Sequence, residues 1–155
     1  MTIVLNGSVG IPASSLSGVI PDANAPSGSV LQVVQSVSNS TYTTITATSF
    51  TATGDTATIT VLAGSKVLVS FIVNSSADTD VSSQFALYRN GSSIFSTEMC
   101  YEFNSASWSY NTINYLDTSP STGSNTYAIY AKNTNSGDSR YFYPARVLTL
   151  QEITA

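Results

Sequence analysis

The chain has 155 residues, a formal net charge of −4 and only 9% charged side chains, against about 25% in an average soluble domain. Its five basic residues are scattered, so the sequence lacks the basic face that nucleic-acid binding requires and offers little attraction for an anionic membrane surface. The absence of histidine removes the commonest general base, most catalytic triads and most zinc sites.

Residues 1–28 differ from the rest, because they hold three of the five prolines and sustain no periodicity of 2 or 3.6 residues. The start has no basic region and no long apolar stretch, so we expect synthesis in a cytoplasm without a signal peptide and no membrane insertion. Short apolar groups in this segment need a partner surface, since alone they cannot be buried. We therefore predict an extended arm that docks on another subunit. Its predicted docking residues are Ile3, Val4, Leu5, Val9, Ile11, Leu16, Val19 and Ile20.

From residue 29 to residue 155 the pattern changes to short apolar alternation between turns, which is typical of β-strands. Ser and Thr make up about 30% of the chain, and Thr suits half-exposed strands while Ser suits turns. A break is predicted at residues 51–55. The predicted strands are 30–37, 42–50, 57–61, 67–73, 84–88, 93–99, 108–116, 126–132, 141–143 and 146–153.

Two local features refine this pattern. Leu68 and Ile72 make the strand 67–73 apolar on both sides, which predicts a central strand. The pair Asn90-Gly91 between two apolar runs predicts a tight hairpin. Since no segment has an amphipathic helix pattern, we predict an all-β fold: a jelly-roll-like β-sandwich over residues 29–155 with an extended N-terminal arm over residues 1–28.

The remaining acid and thiol groups do not suggest catalysis. Glu98 and Glu102 would lie about 13 Å apart in a strand, whereas a glycosidase pair needs about 5 to 10 Å, so they are predicted to be solvated surface acids. Asp78 and Asp80 offer too few oxygen ligands for Ca²⁺. The single cysteine, Cys100, is predicted to be a small buried hydrophobe. We therefore predict no enzymatic activity, no cofactor and no metal.

A group of aromatic residues flanks a predicted loop at 102–106 and has amide neighbours. Three interpretations remain open: the rings fill the core, they form a subunit or partner interface, or they stack against a glycan. Of the three consecutive rings at 141–143, at least one should point outward, because neighbouring side chains of a strand face opposite sides. The candidate ligand or interface residues are Tyr101, Phe103, Asn104, Trp108 and Tyr110.

Six stretches, in the same order along the chain, resemble a domain of fibre and virion surface structural proteins of tailed phages, especially marine and cyanobacterial phages. A seventh, residues 5–11, resembles the head of short phage structural proteins that attach to a virion through such an arm. The six stretches are residues 28–35, 42–47, 65–69, 87–91, 115–120 and 148–153.

The resemblance implies a virion surface structural protein, a short fibre or a capsid-decorating, cement-type homotrimer that docks on capsid or tail proteins through residues 1–28. A nearly uncharged surface fits this, since copies can pack without repulsion. The alternative is a receptor-binding adhesin at a tail-fibre tip that recognises a host surface glycan or protein. Its recognition loops would be 74–83, 100–107 and 117–125, because loops on a rigid scaffold suit recognition.

Overall fold

The computed structural model describes residues 25–39, 42–77, 82–98, 108–136 and 139–155. These residues contain ten strands and no helix. The strands are β1 (Val30–Ser38), β2 (Thr43–Ile45), β3 (Thr51–Val61), β4 (Lys66–Ala77), β5 (Ser83–Arg89), β6 (Ser92–Glu98), β7 (Ser109–Asp117), β8 (Gly123–Asn133), β9 (Arg140–Phe142) and β10 (Arg146–Ile153).

The strands form two antiparallel sheets. The second sheet has the order β3-β8-β5-β6. In the first sheet, β10 and β9 pair with successive stretches of β4, and β1 and β2 pair in turn with β10 and β9. Each of these pairs of strands therefore acts as one long interrupted strand, and the first sheet has the order β1/β2-β10/β9-β4-β7.

With each interrupted pair counted once, the ten strands occupy eight positions, four in each sheet. All neighbours are antiparallel, and the two-sheet order is that of an eight-stranded jelly roll. The predicted all-β sandwich is confirmed. Its core lies between the sheets and is built from the inward side chains of both.

Several predicted strand boundaries are wrong, and two of the errors lie on either side of residue 50. β2 ends at Ile45, so the predicted strand 42–50 is too long. β3 already begins at Thr51, so the predicted break at 51–55 is part of a strand. Its pairing with β8 shifts register there. Gly54 adopts a φ of 88°, which glycine tolerates because it has no Cβ. The apparent turn signal is therefore a β-bulge.

The strand β4 is central in its sheet, as predicted, because β10 lies on one side of it and β7 on the other. It continues to Ala77, beyond the predicted end at residue 73. Its outward residue Ile72 is 48% exposed, so no described residue covers this face fully. Its inward residues are buried against the second sheet: Val67, Val69, Phe71 and Val73.

The described part of the N-terminal segment joins one end of the sandwich, which we call the near end. The carbonyl oxygen of Pro26 accepts a hydrogen bond of 2.6 Å from Thr154 Oγ1, and the Gly28 nitrogen donates one of 3.1 Å to the Thr154 carbonyl. The opposite, far end holds β2, β9 and the end of β4 at Ala77. The predicted docking residues from Ile3 to Ile20 lie outside the described residues.

Candidate binding surface

A buried ion pair crosses between the sheets. Arg146 is 2% exposed, and its Nε donates to both oxygens of Asp55 at 2.9 Å. Its two other nitrogens reach the carbonyls of Phe142 and Tyr143 at 3.4 and 3.5 Å and Ser38 Oγ at 3.3 Å. These acceptors lie where the paired strands of the first sheet are interrupted. The guanidinium therefore stabilises the interruption.

A second ion pair lies at the near end. Asp117 accepts hydrogen bonds from Arg89 Nη1 at 2.6 Å, the Tyr127 hydroxyl at 2.7 Å and the Ser119 nitrogen at 3.2 Å. Burial raises the pKa of Tyr127, and the hydrogen bond to Asp117 acts in the same direction. Burial lowers the pKa of Arg89, but the hydrogen bond to Asp117 and its charge outweigh this and raise it. This cluster holds the turn after β7.

The buried carboxylate of Glu152 is engaged in the same way. Its two oxygens accept from the Leu62 nitrogen at 2.7 Å and from Gln32 Nε2 at 2.6 Å, which tie the turn after β3 and the strand β1 to β10. Groups of the fold itself thus donate hydrogen bonds to the carboxylate of Glu152, as they do to the carboxylates of the two ion pairs.

Other predicted acid and thiol positions fall outside the part of the chain that the structure describes. These are Asp78, Asp80, Cys100, Glu102 and the side chain of Glu98. Among the described residues, no three His, Cys, Asp or Glu side chains stand close enough to hold a metal ion. In the same residues no helix is long and apolar enough to cross a membrane.

A group of four exposed or half-buried rings, which we call the aromatic cluster, covers the far end of the first sheet. It consists of Trp108, Tyr143, Tyr42 and Tyr141. Trp108 stacks on Tyr143 with ring centroids 4.2 Å apart. Tyr42 meets Tyr143 edge-on at 5.1 Å and Tyr141 at 5.8 Å. Such offset and edge-to-face contacts are favourable arrangements for aromatic pairs.

Polar groups of β4 lie beneath and beside the aromatic cluster. The hydroxyl groups of Tyr143 and Ser76 are 2.9 Å apart and share a hydrogen bond, and Ser76 is buried although it is on the outward side of β4. Among the described residues, the buried side-chain oxygen of Asn74 has no hydrogen-bond partner. Burial raises the pKa of Tyr42 to about 12, and a hydrogen bond with Tyr143 acts in the same direction. The cluster therefore combines flat apolar rings with hydroxyl and amide groups.

The structure decides part of the open question about the predicted site residues. Trp108 is 61% exposed and Tyr110 is 81% exposed, so the interpretation that they fill the core is wrong. The physical reason is register: Ser109 lies opposite Ser75, which faces inward, so both of its neighbours face outward. The interface and glycan interpretations stay predictions.

The remaining site residues divide into those outside the structure and those the sequence did not single out. Tyr101, Phe103 and Asn104 lie outside the described residues. Tyr42 and the rings at 141 and 143 were missing from the candidate set. The alternation of the run 141–143 contained the signal, since Phe142 is buried and the two flanking rings face outward, as predicted for at least one of them.

The predicted recognition loops do not gather at one end. The strands that flank residues 78–81 and 99–107 end at the far end, beside the aromatic cluster. Residues 74–77, predicted as loop, are the last part of β4. Residues 117–122 lie at the near end, where Asp117 pairs opposite Val67. The far end is thus the better candidate for recognition.

No protein-family model matches the chain, and no curated protein matches it. A solved structure with some similarity is that of dimeric latent PorU from Porphyromonas gingivalis, at 10% sequence identity and a TM-score of 0.39. The match covers 84% of this chain and 14% of the PorU chain. At this identity and TM-score the likeness supports no conclusion about function.

Proposed function

We propose that the chain is a non-enzymatic virion surface structural protein, a short fibre or capsid-decorating homotrimer that docks on the particle through residues 1–28. The observation that supports this most is that the N-terminal segment and the aromatic cluster lie at opposite ends of the sandwich. The N-terminal segment joins the sandwich at the near end, and the exposed aromatic cluster lies at the far end. A subunit attached by its arm would therefore turn the opposite end away from the particle.

The junction between arm and body is well suited to transmit such attachment. Gly28 and Ser29 form backbone hydrogen bonds with Thr154, the residue that follows the last strand. The last strand lies between β1 and β4 in the first sheet, so a load on the arm passes directly into the sandwich. The resemblance of six stretches to phage fibre and virion surface domains supports the same role.

Deleting residues 1–24 is expected to abolish association with virus particles while leaving the body folded, because all hydrogen bonds between residues 26–29 and Thr154 are retained. The measurement is co-sedimentation with particles, with circular dichroism and thermal unfolding as the test of folding. A matched pair of full-length variants separates apolar docking from chain length. Replacing Ile3, Val4 and Leu5 by serine should weaken association, whereas replacing Ser14, Ser15 and Ser17 by alanine should not. Full decoration of particles by the truncated body would exclude the docking role.

A second candidate function, a receptor-binding adhesin, is favoured by the aromatic cluster, because exposed rings with adjacent hydroxyl and amide groups suit sugar recognition. Trp108→Ala is expected to weaken glycan binding on an array by about 2 kcal/mol, roughly 30-fold. The control is Tyr88→Ala, which removes one ring of the stacked pair Tyr88–Tyr130 on the second sheet, with centroids 3.9 Å apart. Equal loss in both variants, or no binding by the unmodified protein, would argue against this function.

A further inference from the structure

The outward face of the first sheet carries a row that is apolar at three of the four strand positions. Directly opposed residues of antiparallel strands share a face, so the register defines each row. Val37 lies opposite Val147, Val147 opposite Ile72, and Ile72 opposite Thr112. Val37 and Ile72 are among the exposed large hydrophobic residues of the protein.

A second such row lies nearer the near end. Val33 lies opposite Gln151, Gln151 opposite Leu68, and Leu68 opposite Leu116. Val33 and Leu116 are exposed. Scattered exposed hydrophobic residues are normal on a monomer, but two such rows on one sheet face favour an interaction surface.

The row between these two is polar but carries no charge. Gln35 donates to Thr149 Oγ1 at 3.2 Å, and Ser70 donates to Asn114 at 2.8 Å. Amides and hydroxyls can both donate and accept, so such a row is able to bond with the polar groups of another copy.

The charge pattern favours a second copy over a charged partner. The three rows contain no acidic or basic residue, although the chain carries a net charge of −4. Charged residues are depleted and aromatic residues enriched at the centre of protein interfaces, and the exposed rings of Tyr110 and Trp108 continue the same face toward the far end. A second copy, which carries the same net negative charge, can therefore pack on this face without repulsion between like charges there.

The second sheet shows that this is not a general property of the surface. Its outward residues include a Thr ladder, with Thr58 and Thr126 sharing a hydrogen bond of 2.8 Å between their hydroxyl groups. Thr56 likewise donates to the carbonyl of Tyr127 at 3.0 Å. These hydroxyl groups satisfy one another on the β3 side of that face, while the stacked rings of Tyr88 and Tyr130 lie on β5 and β8.

The area of the outward face of the first sheet is also large enough for a small specific interface. Four strand positions about 4.8 Å apart give a width of roughly 19 Å, and the eight steps from Leu68 to Ser76 give a length of about 27 Å. The face therefore offers roughly 500 Å² on each copy. Two copies together reach about 1,000 Å², near the lower limit for a specific interface.

We infer that the outward face of the first sheet, including Ile72, Tyr110 and Trp108, packs against a second copy of this chain and is the self-association surface. This inference rests on the proposed structural role and is an alternative to glycan binding at Trp108, since it names a surface through which the proposed oligomer forms. The chain has a single tryptophan, and it lies on this face, so its fluorescence reports directly on coverage of the face.

The test uses the full-length protein and measures its mass in solution together with the emission of Trp108. The unmodified protein should have a mass of at least twice 16.3 kDa. Dilution should shift the emission to longer wavelength as Trp108 becomes exposed to solvent. Ile72→Glu should weaken self-association by about 100-fold or more, because like charges would meet in a desolvated contact. Ile72→Lys should act in the same way, although it changes the net charge in the opposite sense.

The matched control is Thr126→Glu, which adds the same charge to an exposed position on a central strand of the second sheet and should leave the mass unchanged. A monomeric unmodified protein, or Ile72→Glu protein of unchanged mass, would overturn the inference. If the Ile72 variants fail to fold, the concentration dependence of Trp108 emission in the unmodified protein decides, since constant emission across an observed oligomerisation excludes this face. An unmodified protein that forms the oligomer but does not bind particles would instead contradict the docking role alone.

Discussion

Replacing Asp55 by alanine is expected to lower the free energy of unfolding by about 3–5 kcal/mol, which is the usual effect of removing one partner of a buried ion pair. The reason is that the guanidinium of Arg146 would keep its charge between the sheets while losing the carboxylate that its Nε contacts at 2.9 Å. Thr53 would lose a partner as well, because its hydroxyl donates to Asp55 at 2.8 Å. Urea unfolding at one fixed protein concentration measures the effect.

Two further variants separate the charge from the packing. Combining Asp55→Leu with Arg146→Met removes both charges and should restore much of the lost stability, since an apolar pair of similar volume often replaces a buried ion pair at little cost. Thr58→Ala, at an exposed position three residues further along the same strand, should change stability by no more than about 0.5 kcal/mol. A loss below about 1 kcal/mol for Asp55→Ala would show that Arg146 is not dependent on this partner.

Phe85→Ala is expected to be about as destabilising, at about 3–5 kcal/mol, because the cavity left by a buried ring adds to the lost burial. Phe85 belongs to the second sheet and contacts two rings of the first. Phe71 meets it edge-on with centroids 5.8 Å apart, and Phe142 stacks on it at 5.5 Å. The ring therefore connects β4 and β9 to the opposite sheet, and its removal weakens both contacts.

The control for this prediction is Phe95→Ala on the edge strand β6. Phe95 is only partly buried and stacks on one ring, Tyr115, at 4.9 Å. Its removal should cost clearly less than that of Phe85, and Phe85→Leu should fall between the two. Thermal unfolding of the three variants under one condition gives the order. Equal costs for Phe85→Ala and Phe95→Ala would contradict the central role of the ring.

Much of the sandwich was predictable because strand alternation is a local property of the sequence. The alternating stretch 57–61 places its apolar residues inward, as the sequence predicted, and the same holds for Val67 to Val73. The pair Asn90-Gly91 forms the predicted hairpin, with φ values of 50° and 82°. In each case the deciding residues are neighbours in the chain, so a short window contains the information.

The errors arose where distant residues decide the backbone. The segment Thr-Gly-Asp at 53–55 resembles a turn in sequence, yet Asp55 is held by Arg146, 91 residues away, and the chain passes through a bulge instead. The short β2 has the same origin, since its strand is interrupted beside the break between β9 and β10. There Ala145 takes a φ of 67°, and its nitrogen bonds to the Ser38 carbonyl.

The same distinction between local and distant residues applies to the candidate site. Composition and alternation predicted an all-β sandwich, and the aromatic residues with amide neighbours pointed to Trp108 and Tyr110, because residue types and their period can be read directly from the chain. Only the tertiary structure decided that these rings are exposed, that Tyr42, Tyr141 and Tyr143 gather around Trp108, and that the arm joins the opposite end. Those facts depend on strand pairing between residues far apart, such as Ser76 with Tyr141 and Gly28 with Thr154, and pairing is set by the packing of the whole sandwich.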